Sequence, residues 1–218
     1  MPSVRDRITS QWDLAKKHLI FVLLCVGVLW AVFLLNRALP DSWGDLRAWG
    51  IRPRTFTGLL SIPAAPFLHK NAFHLLANTL PLIILGWTLV LSGRGLFFRV
   101  CLFTALTSGV GTWAFGQGDT IHEGASGVLM GLIGFLVARG WFGRKLIWAM
   151  TSLGVALFYL GELFSLLRNE PAISWSGHFW GFIGGVVLAW WMYGRRAPVL
   201  LVPAARPTHV KISGRARR

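Results

Sequence analysis

Residues 126–138 read SGVLMGLIGFLVA, an uncharged run closed by Arg139. About 20 apolar residues cross the ~30 Å hydrocarbon layer as a helix, and a few residues past the flanking charge bring this run to that length. Working outward, five more such runs are present, with apolar cores at Leu19–Leu35, Phe73–Leu91, Val100–Phe115, Leu146–Gly161 and Gly177–Tyr193. The expectation is an all-α polytopic membrane protein with six transmembrane helices in one domain over residues 19–193. Residues 1–18 precede it as a cytoplasmic segment, and residues 194–218 follow as a basic cytoplasmic tail read as disordered. Arg5, Arg7, Lys16 and Lys17 before the first run suggest a signal peptide. The run is longer than a signal h-region, however, and Asn36-Arg37-Ala38-Leu39-Pro40 is a poor cleavage site, so it reads as a retained first span.

Composition agrees. Of 218 residues 54% are hydrophobic and 14% charged, with 22 Lys+Arg against 8 Asp+Glu. A soluble surface needs about a quarter of its residues charged, which excludes a soluble enzyme. A nucleic-acid-binding domain clusters its basic residues on one face, whereas these lie between apolar runs, so no nucleic-acid partner is expected. Lys and Arg accumulate in cytoplasmic segments. Six spans put 16 of the 22 basic residues on the side of both termini, and Asp41, Asp45, Asp119, Glu123, Glu162 and Glu170 fall at or near the other. Both termini are therefore expected in the cytoplasm, with the tail near anionic headgroups of the lipid bilayer. The first loop, about residues 36–72, carries Trp43, Trp49, Phe56, Leu59, Leu60, Ile62 and Phe67, which points to a structured element at the membrane interface. Cys25 and Cys101 lie inside apolar runs, against a disulfide or a metal site.

Polar groups inside a span are costly and are functional candidates by default. His74 and Asn78 open the second span, Ser126 the fourth and His178 the sixth, so all four converge at the outer end of the bundle. Thirteen residues at ~1.5 Å rise place Ser126 roughly 20 Å from Arg139, a submerged position reached by water from outside. His178, Gly181 and Gly185 share one helix face, and Gly127, Gly131 and Gly134 form a similar stripe. Such small residues let membrane helices approach closely, and packing alone is the plainer use of them. A serine hydroxyl becomes nucleophilic when a neighbouring base takes its proton, and a histidine in a low-dielectric site is neutral and able to accept it. A helix start offers free N–H groups to an oxyanion. No span carries a carboxylate placed to orient His178, so the expected machinery is a Ser126/His178 dyad.

These residues resemble a known family. Gly124-Ala125-Ser126-Gly127 is similar to the GxSG motif of rhomboid intramembrane serine proteases, His178 through Gly181 to Gly185 to their HxxGxxxG, and His69, His74 and Asn78 in FLHKNAFHLLAN to their HxxxxHxxxN. The resemblance spans about Thr55 to Tyr193. It implies a six-helix rhomboid-like bundle of the bacterial cytoplasmic membrane that cleaves transmembrane protein substrates without a cofactor or metal. Ser126 would be the nucleophile and His178 the general base and acid. His74, Asn78 and the Ser126 N–H would form the oxyanion hole, with Gly124, Gly181 and Gly185 in support, and the region around Tyr159 to Trp175 would admit substrate. Two departures stand out: Arg52-Pro53-Arg54-Thr55 replaces a Trp-Arg pair in the first loop, and Met130 stands where an aromatic often stacks on the histidine.

Plainer readings exist for each polar residue. Ser126 at a helix start is a common N-cap; His69 is given a structural role; His122 forms local hydrogen bonds; His18 and His209 are solvated. Two rival functions are a catalytically inactive rhomboid-like factor that binds membrane proteins, which loss of the serine or histidine would mark, and a transporter or channel. The latter needs polar residues continuing toward the cytoplasm, and VLMGLIGFLVA below Ser126 offers none.

Overall fold

The computed structural model describes residues 3–40, 42, 44–166 and 174–195. Helix α1 (Val4–Ala38) starts at a capping box, Ser3 accepting from the Asp6 N–H while Asp6 accepts from the Ser3 N–H. It therefore begins well before its apolar run, because helix initiation is set by the cap rather than by hydropathy. A 3-10 turn at Leu46–Trp49, helix α2 (Phe56–Leu60) and a second 3-10 turn at Ala65–Phe67 build the first loop. Next come α3 (Ala72–Val90), capped by the Asn71 side chain, and α4 (Arg94–Phe115). Then follow α5 (Ser126–Phe142), α6 (Leu146–Phe158) and α7 (Leu160–Ser165). The last helix, α8 (Trp175–Ala189), runs into a π-type turn at Trp190–Gly194. The fifth apolar run is thus not one helix: it breaks at Tyr159, two residues before Gly161, whose helix propensity is poor.

Helix α5 is the axis of the bundle, packed against α3, α4, α6 and α8. Met130, Leu132, Ile133, Phe135 and Leu136 are all but inaccessible, and meet Leu85, Leu89, Val100 and Leu188 in one apolar core. Outside it, Leu24 on α1, Leu102 on α4 and Leu146 on α6 are 67%, 64% and 78% exposed. So much exposed apolar surface suits lipid, not water. Helices α1, α3 and α4 are long and apolar enough to cross a membrane, and α5 and α6 are shorter apolar helices. The chain is an integral membrane protein, all-helical among the described residues. Cys25 and Cys101 are free and half-buried. The tail beyond Arg195, His209, Trp43, Asp41, Glu170 and much of the expected substrate-access segment lie outside the described residues.

Candidate active site

The backbone reaching Ser126 is shaped by a turn that only glycine enters easily: Gly124 has φ +115°, a region closed to most L side chains. Residues 122–125 are then held one after another. His122 exchanges two backbone hydrogen bonds with Ile51, of 2.8 and 2.9 Å. The Glu123 carboxylate takes the Arg47 Nε–H at 2.9 and 3.2 Å. Gly124 N–H donates to the Ala65 carbonyl at 2.9 Å, and Ala125 N–H donates to His69 Nε2 at 3.4 Å. Ser126 follows as the first residue of α5, whose N-cap is Ala125 with no side-chain cap. The capping role that sequence allows Ser126 is thus not the one it fills. As N1, N2 and N3 of the helix, Ser126, Gly127 and Val128 have N–H groups with no intrahelical acceptor.

His74 lies under this turn. A Cβ on Gly124 would come within 2.6 Å of His74 Cε1, and the His74 ring meets that of His69 at 5.2 Å between centroids. Asn78, one turn further along α3, is buried, its amide donating to the His74 carbonyl at 3.0 Å.

Helix α8 meets α5 backbone to backbone. A Cβ on Gly181 would strike the Gly127 carbonyl, one on Gly185 the Gly131 carbonyl, and one on Gly134 the Phe182 carbonyl. The Ser108 hydroxyl of α4 donates to the Gly177 carbonyl at 2.9 Å, fixing the start of α8. The first turns of α5 and α8 therefore abut, Ser126 on one and His178 on the other. His178 Nδ1 is buried without a hydrogen-bond partner, so among the described residues no carboxylate orients the ring. Met130 is buried in the apolar core.

Beside Ser126 lies a cavity of about 30 Å³, lined in part by Ser108, Thr112, Glu123, Gly124, Ser126 and Ser174. It has room for one or two waters, and the Ser174 hydroxyl is buried with no protein partner. Burial holds His69 down to about 4. Burial likewise lowers His122, whose Nε2 lies 2.8 Å from Thr120 Oγ1. Burial pushes the Glu123 carboxyl up, opposed by Arg47. His18, expected in solvent, is half-buried, with Nδ1 covered. Sequence reasoning passed over Arg47, Glu123, Ser108 and Thr112. The last two were signalled by Thr104, Ser108 and Thr112 at 4-residue spacing, one polar face of an apolar helix. Among the described residues no three metal-ligating side chains cluster.

A membrane-embedded helical bundle with a serine turn and a histidine on facing helix starts defines the class, and the family follows from comparison. The rhomboid domain model matches residues 54–195. The chain belongs to the rhomboid family. It is 35% identical to an uncharacterized protein of Mycobacterium tuberculosis over 88% of this chain and 82% of that one. A Mycobacterium leprae protein, also uncharacterized, is 34% identical over 78% of this chain and 69% of its own. YdcA of Bacillus subtilis, which carries the provisional name of a rhomboid protease, is 27% identical over 78% of this chain and 85% of its own.

Proposed function

We propose that this protein is an intramembrane serine endopeptidase that cuts the transmembrane segments of other membrane proteins near their outer end. The observation that carries the reading is the glycine-mediated contact of α5 with α8, whose abutting starts carry Ser126 and His178, with a small cavity beside Ser126. His178 removes the Ser126 proton as Oγ attacks the scissile carbonyl. The oxyanion receives hydrogen bonds from the free Ser126 N–H, His74 and Asn78. His178 then returns the proton to the leaving amine, and a water from the cavity hydrolyses the acyl ester by the same route. Gly124, Gly181 and Gly185 support this arrangement, the first by its turn and the others by the close approach of α8.

The bundle crosses the bacterial cytoplasmic membrane six times with both termini in the cytoplasm. At ~1.5 Å per residue, α5 is roughly 25 Å long, and α8 with its π turn reaches roughly 30 Å. Each fits a layer about 30 Å thick. The basic tail lies against anionic headgroups. An inactive, substrate-binding relative would lack the serine or the histidine, and this chain has both.

Purified protein is incubated with a model transmembrane substrate in liposomes, with Ser126→Ala and His178→Ala in parallel. Cleavage by the wild type alone is expected; unchanged cleavage by either variant sinks the dyad.

A further inference from the structure

The four residues that lead into Ser126 are each anchored by the first loop, and none of these anchors comes from α4, which precedes them in the chain. Ile51, Arg47, Ala65 and His69 hold His122, Glu123, Gly124 and Ala125 in turn. A glycine turn is permissive, so its conformation is imposed from outside. Three of the anchors use a backbone group of the held residue. The fourth, Arg47 to Glu123, joins two side chains, and it is the strongest in kind, a charge-assisted contact of one Nε–H with both carboxylate oxygens.

We propose that the Arg47–Glu123 ion pair is a latch by which the first loop sets the backbone entering Ser126, making Glu123 a positioning residue for the nucleophile. The inference rests on the proteolytic reading above. Glu123 is suited to the task because its side chain is 6% exposed against 35% for Arg47, so one end of the pair is fixed in the interior. Arg47 is steadied in turn. Its N–H donates to Asp45 Oδ1 at 2.8 Å and its Nη1 lies 3.4 Å from Asp45 Oδ2. Asp45 also accepts from the Asn36 amide at 2.9 Å, in the last turn of α1. A chain of polar contacts thus runs from the end of α1 through Asp45 and Arg47 to the residue before Gly124. Glu123 and Gly124 also form wall of the cavity that touches Ser126, so displacement of Glu123 changes the space in front of the hydroxyl. Removing Arg47 leaves the buried Glu123 carboxylate without its ion-pair partner in a low-dielectric site, whereas removing Glu123 leaves Arg47 paired with Asp45 alone.

The test uses the full chain in lipid nanodiscs, comparing wild type with Glu123→Gln, Arg47→Gln, the double variant and Arg47→Lys. Two readouts are taken: kcat and KM on a transmembrane substrate, and hydrogen–deuterium exchange over residues 119–127 against that of α8. The latch predicts a kcat loss on the order of tenfold to a hundredfold for either single glutamine variant, with KM little changed. It also predicts faster exchange confined to 119–127, and a double variant no worse than the singles. Arg47→Lys, which keeps the charge but lacks the Nε–H that meets both carboxylate oxygens, is expected to fall between wild type and the glutamine variants. Wild-type kcat in Glu123→Gln overturns the proposal, and so does exchange that is unchanged in 119–127 or accelerated throughout the protein. Should the wild type itself fail to cleave, the proteolytic reading falls while the exchange data still decide whether the latch holds the turn.

Discussion

Replacing Gly181 by alanine adds one methyl group where α8 crosses α5 backbone to backbone. The new Cβ meets the carbonyl oxygen, carbon and Cα of Gly127, all backbone, so no side chain can swing aside. To restore contact near ~3.5 Å, α8 must move off α5 by more than an ångström. Overpacking of this kind costs ~1–3 kcal/mol of stability, which leaves a folded protein. The effect on chemistry is larger in proportion: a displacement of about 1 Å between reacting groups costs on the order of a hundredfold, or ~2.7 kcal/mol on the barrier. Gly27→Ala is the matched control, since nothing lies within 4 Å of its Cβ, and alanine there gains up to ~1 kcal/mol of helix propensity. The assay is the rate of Ser126 labelling by a fluorophosphonate, alongside thermal unfolding in the same detergent. Gly181→Ala is expected to label about a hundredfold more slowly while still unfolding cooperatively, and Gly27→Ala to match wild type. Wild-type labelling by Gly181→Ala would refute the claim that this crossing sets the distance between Ser126 and His178.

Three other outcomes are expected. Asn78→Ala, which deletes a buried donor, lowers kcat on the order of a hundredfold with little change in KM, measured by substrate cleavage. His69 is held neutral in the fold at about 4, while the unfolded chain takes up that proton near its ordinary value. Its contribution to stability is therefore full at neutral pH and is lost as pH falls from about 6.5 toward 4; His69→Gln flattens that part of the melting-temperature profile. Tags at either end of the chain are digested by protease in inverted vesicles and protected in spheroplasts; the opposite pattern would overturn the assigned orientation.

Sequence and structure agree where physics is local. Helix α3 follows its apolar run to within a residue at each end, and α4 ends with its run at Phe115 but starts at Arg94, after Gly93, with Arg99 inside the helix. Glycine spacing on α5 and α8 correctly announces their close crossing, since a missing side chain is itself the cause of the approach. Hydropathy marks the apolar core of α1 at Leu19–Leu35 but not the helix start, because an uncharged run reports what lipid tolerates and not where a helix begins; the Ser3–Asp6 box decides that. It also missed the break at Tyr159, which interrupts an apolar run without altering its composition. The anchors of the serine turn were illegible for another reason. Arg47 and Glu123 lie 76 positions apart, and each alone resembles an ordinary loop charge. Only the fold shows that they meet.

The order in which the chain is made gives the α5–α8 contact a further consequence. Synthesis runs from the N-terminus, so α5 with Ser126 enters the membrane before α8 exists. Until α8 inserts, the groove along Gly127, Gly131 and Gly134 is unfilled, and the base proposed for Ser126 is not yet beside it. On the proteolytic reading, the pair of Ser126 and His178 is complete only once α8 has been laid against α5.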